Sequence, residues 1–290
     1  MDGILNILKP PGMTSHDVVY RIRRLTKVKR TGHTGTLDPG AAGVLPVCVG
    51  KATRVAEYVL ETDKNYRAEL TLGTATDTED AAGEVIKQSS VPVVSVSEAR
   101  RVLAGFLGPG HQIPPMYSAV RKNGVKLYTL ARRGESVERE PRAIHIYNIE
   151  LVRLDAGKIL FDVQCSRGTY IRTLCVEIAE KLGSCGHMSF LLRTAVGPFQ
   201  LDQSYTLEEL NGLEASGMLS SAFMPPDTAL LHIQPVCLSA EDAVKISHGI
   251  SVPVSEVGEG LARVYSPGNI FLAVAEVKSG VLKPVKVFPS

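Results

Sequence analysis

Two strand-like runs separated by only three residues constrain the fold more than any other feature of the chain. The runs AIHIYNIELVRL and KILFDVQC, within residues 143–165, are joined at the short turn DAG. Such a connection makes the two strands antiparallel, because parallel strands need a crossover of a dozen or more residues. Elsewhere strand-like and helical runs alternate. The sequence therefore predicts an α+β (mixed α/β) fold with a mixed sheet rather than an all-parallel one.

The stretch NYRAELTLG has the clearest strand periodicity. Tyr66, Ala68, Leu70 and Leu72 fall on one face, and polar side chains fall on the other. This alternation predicts a strand with one buried face. Tyr66 is therefore expected to pack in the core, although an aromatic side chain at the start of a strand can also face a cleft.

Helical runs separate the predicted strands. The expected helices are TSHDVVYRIRRLTK with Ser15 as N-cap, KATRVAEYVLE, SVSEARRVLAGFLG with Ser95 or Ser97 as N-cap, GVKLYTLARRG, and GTYIRTLCVEIAEKLG. Serine is favoured at the N-cap because its hydroxyl accepts a hydrogen bond from a free backbone N–H of the first turn. Between the first two helices, VLPVCVG predicts a short buried strand.

A change of pattern near residues 225–237 predicts a domain boundary. The segment MPPDTALLHIQP is followed by a capped helix, SAEDAVKISHG, and by short strands around SPGN and KSG turns. We expect a catalytic domain over residues 1–230, with a basic insertion at about 108–142. A small β-rich domain is expected over residues 231–290.

Charge and cysteine content narrow the class of protein. The net charge is only +2, yet residues 21–30 (RIRRLTKVKR) carry six cations and no acid, and a second basic region spans residues 121–142. Such clusters are either solvated helix faces or sites for a polyanion. The five cysteines form no C-x-x-C pair, which argues against a disulfide framework or a zinc site and for a reducing compartment. No signal peptide or membrane span is recognisable, so a cytoplasmic location is expected.

A glycine-rich loop surrounds a single carboxylate, Asp38, in RTGHTGTLDPGAAGVLPVCVG, residues 30–50. Asp-Pro-Gly is a common turn sequence, so Asp38 is first of all a candidate turn residue. The flanking glycines also permit close approach by a ligand, and a loop before a buried strand can present a reactive side chain. GHTGT could also cradle a phosphate, but neither standard phosphate-loop motif is present.

Two further side chains are candidates for chemistry. Arg172 lies near the start of a predicted helix, where a cation opposes the helix dipole. It is either solvent-facing or the partner of a carboxylate or phosphate, and an arginine beside Asp38 would favour the ionised form that nucleophilic catalysis needs. His33 could be a turn residue or a base contact. No second histidine at metal-ligand spacing accompanies it, so no metal is expected.

Several long motifs in collinear order resemble those of TruB-type tRNA pseudouridine synthases. They are GHTGTLDPGAAGVLPVCVGKATR, KNYRAELTLGTATDTEDAAG, QIPPMYSAVRKNGVKLYTLARRGE and CSRGTYIRTL. The resemblance runs from about Leu5 to about Val196. The C-terminal part is similar to a short PUA-type RNA-binding module. This resemblance implies the pseudouridine synthase fold, whose large mixed sheet is mainly antiparallel and is flanked by helices and loops.

The resemblance also implies a reaction and roles for individual residues. The reaction is isomerisation of uridine 55, in the T-loop of the tRNA T-arm, to pseudouridine without a cofactor. Asp38 would be the nucleophile and Arg172 its partner, and Tyr66 would stack on the uracil and is a candidate base for the C5 proton. In the binding site, His33 would support the RNA, Tyr170 and Leu191 would line the uracil pocket, and Asp77 would lie nearby.

Two other functions remain open at this point. Guide-RNA-dependent pseudouridine synthases share much of the first motif, but they resemble this chain less after Tyr66, and they carry lysine-rich tails that it lacks. A non-catalytic tRNA-binding or tRNA-folding protein could use the same scaffold. The presence of Asp38, Tyr66 and Arg172 argues against a loss of catalysis. The differences from the guide-dependent enzymes favour a stand-alone bacterial-type enzyme, which we expect to act as a monomer without a guide RNA.

Overall fold

Among the described residues, ten strands form one mixed sheet, and five others form a second sheet near the C-terminus. The structure is a computed structural model that describes residues 1–288. In chain order the strands are β1 (Gly3–Lys9), β2 (Thr31–His33), β3 (Ala42–Val49), β4 (Lys64–Leu72), β5 (Thr74–Thr76), β6 (Val85–Gln88), β7 (Gly108–Gln112), β8 (Arg121–Lys122), β9 (Val125–Lys126), β10 (Arg142–Asp155), β11 (Lys158–Cys165), β12 (Gly186–Val196), β13 (Phe199–Gln200), β14 (Phe223–Met224), β15 (Gln234–Cys237), β16 (Val252–Pro253), β17 (Gly260–Tyr265), β18 (Phe271–Lys278) and β19 (Val281–Val287).

Helices lie between these strands. They are α1 (Ser15–Thr26), α2 (Ala56–Leu60), α3 (Val96–Ala104), α4 (Leu127–Ala131), α5 (Ile171–Lys181), α6 (Leu207–Ala215) and α7 (Ala240–Ser247). Short 3-10 helices span Gly50–Val55, Leu201–Gln203, Leu219–Ala222 and Pro226–Leu230. Within residues 1–288, no helix is both long and apolar enough to cross a membrane.

The large sheet is mainly antiparallel, as expected. Its central order is β14-β1-β3-β12-β4-β11-β10-β7, with β2 added at β3 and β13 at β12. The pairing of β12 with β3 is parallel and covers two residue pairs, whereas the other pairings in this sheet are antiparallel. The DAG turn joins β10 and β11 in the predicted hairpin. Strand β12 therefore lies between β3, which follows the Asp38 loop, and β4, which carries Tyr66.

Two apolar clusters explain how helices pack against the large sheet. On one part of the sheet, the predicted apolar face of β4 packs with α3 and α5. On another part, Val18, Val19 and Ile22 of α1 pack against β1 and β3. Helices α1 and α3 bury mainly their apolar stripes, so their polar faces remain exposed.

Two local predictions were wrong. Thr14 rather than Ser15 is the N-cap of α1: its hydroxyl accepts a hydrogen bond from the Asp17 N–H, and the Asp17 carboxylate accepts one from the Thr14 N–H. The expected helix at residues 51–61 begins instead with the 3-10 segment Gly50–Val55. There the Thr53 hydroxyl donates to the Gly50 carbonyl, a local bond that competes with α-helical pairing.

The C-terminal sheet has the order β15-β17-β18-β19-β16 and packs with α7 around its own apolar cluster. It is also joined to the rest of the chain. Ile233, Val274 and Phe288 belong to the same buried cluster as Ile4 and Val44. Because this cluster crosses residue 230, the division into domains at residues 230 and 231 stays a prediction, and residues 289–290 of the second predicted domain lie outside the described part.

Candidate active site

The Asp38 loop, residues 34–41, connects β2 to β3. The Asp38 carbonyl accepts a hydrogen bond from the Ala41 N–H at 3.1 Å, so the Asp-Pro-Gly corner is indeed a turn. The Asp38 side chain keeps 37% of its exposure, whereas Leu37 just before it is buried. The turn thus leaves the carboxylate accessible from solvent while the loop is held from beneath.

Side chains from β1, α1 and the loop itself hold this backbone in place. The Leu37 N–H donates to the Ser15 hydroxyl at 2.8 Å, and this hydroxyl lies 3.2 Å from the Leu37 carbonyl. The ammonium of Lys9 donates to the carbonyls of Pro10, Met13 and Pro39. Burial lowers the pKa of Lys9 to about 8, and the Asp38 carboxylate opposes this shift. These contacts therefore hold in place the loop that presents the Asp38 carboxylate.

Arg172 connects Asp38 to two other segments. It is the second residue of α5, and its side chain is only 6% exposed. Its Nε lies 3.0 Å from Oδ2 of Asp38, while Nη1 donates to the Thr78 carbonyl at 3.0 Å and Nη2 to the Tyr117 carbonyl at 2.9 Å. The residue is therefore not solvent-facing. Its guanidinium forms an ion pair with the Asp38 carboxylate, and its two Nη atoms donate to carbonyls of two segments beside the site.

Tyr66 and Leu191 approach the Asp38 loop from the sheet. Leu191 on β12 is buried, and half-buried Tyr66 on β4 packs against the same apolar cluster, which also contains Leu37 and Ala41. Burial raises the pKa of Tyr66; Arg193 opposes the shift and the Asp38 carboxylate adds to it. The phenol is therefore neutral at neutral pH and lies within electrostatic reach of Asp38.

His33 and Tyr170 lie at the ends of elements that lead to the site. His33 ends β2, and its Nδ1 accepts a hydrogen bond from the Gly35 N–H at 3.3 Å. Burial lowers the pKa of His33, and the electrostatic effects of Arg193 and then His16 lower it further, so the imidazole is neutral at pH 7. Tyr170 is the N-cap of α5, and both its backbone N–H and its carbonyl bond the amide side chain of Gln112.

Asp77 lies farther out, in the turn between β5 and β6. It is exposed, and its Oδ1 accepts a hydrogen bond from the Glu84 N–H at 2.8 Å. Its Oδ2 accepts one from the Tyr117 hydroxyl at 3.2 Å. Asp77 is thus connected to Arg172 only through Tyr117 and the neighbouring turn. Its place in the structure is that of a residue that shapes a loop beside the site.

Three residues of this site were missed by the sequence analysis: Lys9, Tyr117 and Arg193. Lys9 ends the apolar run ILNILK, and Arg193 is the only charged residue in MSFLLRTAV. Both side chains are fully buried in the structure. A lone cation within an otherwise apolar strand is the signal that could have identified them, since a buried charge needs specific partners. In residues 1–288, no group of three or more His, Cys, Asp or Glu side chains is placed to hold a metal ion.

Comparison with known proteins assigns the family. Residues 23–171, just over half of the chain, match the TruB family pseudouridylate synthase N-terminal domain. The chain belongs to the TruB family. Residues 172–231 match the tRNA pseudouridylate synthase B C-terminal domain, and residues 235–288 match the C-terminal domain of pseudouridine synthase II TruB.

Several known proteins are similar to this chain over most of their length. A tRNA pseudouridine synthase B of Caldanaerobacter subterraneus is 43% identical over 290 residues, covering 99% of both chains. One of Alkaliphilus oremlandii is 50% identical over 249 residues, which is 86% of this chain and 82% of that one. A chain in the crystal structure of a Cbf5-Nop10-Gar1 complex matches with a TM-score of 0.79 at 28% identity, over 99% of this chain and 85% of that one.

Proposed function

We propose that this protein is a stand-alone tRNA pseudouridine synthase that converts uridine 55 in the T-loop to pseudouridine. The observation that carries the proposal is the exposed carboxylate of Asp38, held 3.0 Å from the buried guanidinium of Arg172. Its relatives with 43% and 50% identity are named tRNA pseudouridine synthase B, which supports tRNA as the substrate.

The reaction breaks the bond between ribose C1′ and uracil N1, and it forms a bond between C1′ and C5. The proton on C5 is released, and N1 gains a proton. The uridine has to leave its stack to reach the enzyme, and the detached base must stay caged while it turns. Asp38 acts as the nucleophile in this proposal, attacking either uracil C6 or ribose C1′.

Arg172 orients the Asp38 carboxylate and balances its negative charge. A guanidinium is always charged and offers several donors in one plane. Here the two Nη atoms are engaged by the carbonyls of Thr78 and Tyr117, which aims Nε at Asp38. Burial of the guanidinium strengthens its attraction to the carboxylate, because little water separates the two charges.

Tyr66 and Leu191 supply the surfaces that hold the uracil. An aromatic ring is a stacking platform for any base. Because burial raises the pKa of Tyr66, the phenol enters the reaction neutral. It can accept the C5 proton only through the lone pair of its neutral oxygen, so stacking is its principal proposed role. Tyr170 lines the same pocket, His33 supports the RNA beside the extruded nucleotide, and Asp77 shapes the loop that Arg172 holds.

The exposed face of α1 continues from this site as an RNA-binding surface. His16, Tyr20 and Arg24 are exposed and recur at helical spacing, exposed Lys27 follows as the C-cap of α1, and the adjacent Ser15 contacts the Asp38 loop. Cations of this kind neutralise phosphates, and the basic insertion and the C-terminal sheet provide further candidate contacts. We propose a monomer that acts in the cytoplasm without a guide RNA.

Release of tritium from C5-labelled, unmodified tRNA transcript tests this function. The wild-type protein alone is expected to release one tritium per transcript that carries U55, and none above background from a transcript with cytidine at position 55. Equal release from the two transcripts would contradict the site assignment. Binding of the U55 transcript with no release would favour a non-catalytic tRNA-binding protein, and release that requires an added RNA would favour a guide-dependent enzyme.

A further inference from the structure

Arg193 occupies a central position that the proposed mechanism does not use. On β12 it pairs with Gly43 of β3 on one side and with Tyr66 of β4 on the other. The backbones of β12 and β3 approach so closely that a Cβ atom at Gly43 would lie 2.2 Å from the Arg193 carbonyl oxygen. The residue therefore joins the strand that follows the Asp38 loop to the strand that carries Tyr66.

The Arg193 guanidinium bonds the backbone on both sides of Asp38. Its Nε donates to the Val44 carbonyl at 2.8 Å, Nη2 to the Gly35 carbonyl at 3.2 Å, and Nη1 to the Thr36 carbonyl at 3.4 Å. Gly35 and Thr36 lead into Asp38, and Val44 follows the end of the loop. One planar group thus sets the distance between the two ends of the loop.

The charge of Arg193 is also unusual. The side chain is 1% exposed, and it forms no ion pair with a carboxylate within residues 1–288. Three carbonyl oxygens accept its hydrogen bonds, and burial lowers its pKa against the opposing effects of Tyr66 and then Asp38. A buried cation without a paired anion is costly, and an apolar side chain would hold the strands together without that cost. This cost indicates a role beyond packing.

We propose that Arg193 is a positioning residue that couples the Asp38 loop to Tyr66. Its fork fixes the backbone that presents the carboxylate, and its charge orients the Tyr66 hydroxyl so that the ring faces the base. Arg172 therefore acts on the Asp38 carboxylate directly, whereas Arg193 acts through the loop and through Tyr66. This inference rests on the proposed function.

Single-turnover tritium release with Arg193→Lys tests the coupling. Lysine keeps the charge but cannot reach three carbonyls in one plane. A displacement of about 1 Å in a reacting group can cost about 100-fold in rate, so we expect a rate constant about 10- to 100-fold lower with an unchanged Kd for tRNA. Loss of folded protein alone would lower the concentration of active sites and leave the rate constant at saturating enzyme unchanged, and that result would overturn the proposal.

Arg263→Lys is the matched control. In the C-terminal sheet, Arg263 also bonds a backbone carbonyl, that of Ile233 at 3.0 Å, and a tyrosine hydroxyl, that of Tyr265 at 3.2 Å. We expect the wild-type rate constant in this variant. An equal loss in the two variants would show that any arginine of this kind is needed for folding, which would contradict a positioning role for Arg193.

A double-mutant cycle with Tyr66→Phe separates coupling from independent effects. If Arg193 acts partly through the Tyr66 hydroxyl, Arg193→Lys should cost less in the Tyr66→Phe background than in the wild type. Fully additive effects would refute that part of the proposal. Wild-type activity on the U55 transcript tests the proposed function separately, because the present inference depends only on rates relative to the wild type.

Discussion

The Asp38 site relies chiefly on polar contacts to its backbone, whereas the junction between the two sheets is centred on an apolar cluster. At the site, Lys9, Arg172 and Arg193 donate to backbone carbonyls of the loops that surround Asp38. At the junction, Phe288, Val274 and Ile233 pack with residues of β1 and β3 in an apolar cluster. Polar contacts fix direction, whereas apolar burial supplies stability without fixing individual atoms.

This difference predicts which substitutions should affect catalysis and which should affect folding. A charged group that aims a reactive side chain can be altered with little loss of buried apolar area. An apolar side chain of the junction can be truncated without moving Asp38. The two regions should therefore separate rate from stability, and each prediction below tests that separation.

Among the variants that compare the two regions, Arg172→Lys should have the largest effect on rate. Lysine cannot contact Asp38 and the carbonyls of Thr78 and Tyr117 together. We expect a single-turnover rate constant at least about 100-fold lower, with a Tm close to that of the wild type. Arg67→Lys is the control and should keep the wild-type rate. This variant alters an exposed ion pair between Arg67 on β4 and Asp162 on the neighbouring strand β11. Wild-type turnover by Arg172→Lys would contradict the proposal that Arg172 orients Asp38.

Phe288→Ala should show the reverse behaviour. The ring is buried and lies 4.8 Å, centroid to centroid, from that of Phe271. Its truncation should lower the free energy of unfolding by about 3 kcal/mol, measured by urea denaturation, while the rate constant on bound tRNA stays within about twofold of the wild type. Val281→Ala, at an exposed position of the same sheet, should change stability by less than about 1 kcal/mol. A large loss of rate in Phe288→Ala would show that the junction also positions the site.

Charge reversal on α1 should act on binding alone. Arg24 is exposed on the face of α1 that continues from the site, and Lys27 is exposed at the C-cap of this helix. The double variant Arg24→Glu/Lys27→Glu should weaken tRNA binding and lower the slope of log K against log salt by about 1 to 2. Arg100→Glu/Arg101→Glu on α3 provides a control of equal charge change. Equal weakening by both pairs would indicate general electrostatic attraction rather than a surface on α1.

Tyr117→Phe should have the smallest effect. It removes the hydroxyl that donates to Asp77 but keeps the backbone carbonyl that accepts from Arg172. We expect a decrease in rate of about two- to tenfold, in line with the loss of one partly exposed hydrogen bond. If Asp77 acts through this bond, Asp77→Asn combined with Tyr117→Phe should be no slower than the slower single variant. A loss as large as that of Arg172→Lys would assign Tyr117 a direct role.

Much of this fold could be predicted because the signals are local. The DAG turn determines the direction of β10 and β11, and the alternation in NYRAELTLG determines which face of β4 is buried. The motif pattern also brought Asp38, Tyr66 and Arg172 together as candidates. These inferences need only neighbouring residues or a known family pattern.

The contacts that hold the site together could not be predicted, because they join distant parts of the chain. Arg193 and Gly35 are 158 positions apart, and Arg172 and Thr78 are 94 apart. Nothing near Arg193 in the sequence indicates that its donors reach the carbonyls beside Asp38. The prediction of the α1 N-cap was wrong for a related reason. The Ser15 hydroxyl bonds the backbone of Leu37, 22 residues away, and Thr14 caps the helix instead.

Tritium release by Asp38→Asn under single-turnover conditions tests the central claim most directly. Asparagine has nearly the same shape as aspartate, so the loop and its contacts should persist, but the side chain lacks the charge needed to attack. We predict no release above background from the U55 transcript, together with tRNA binding within about threefold of the wild type. Release at the wild-type rate would contradict the assignment of Asp38 as the nucleophile.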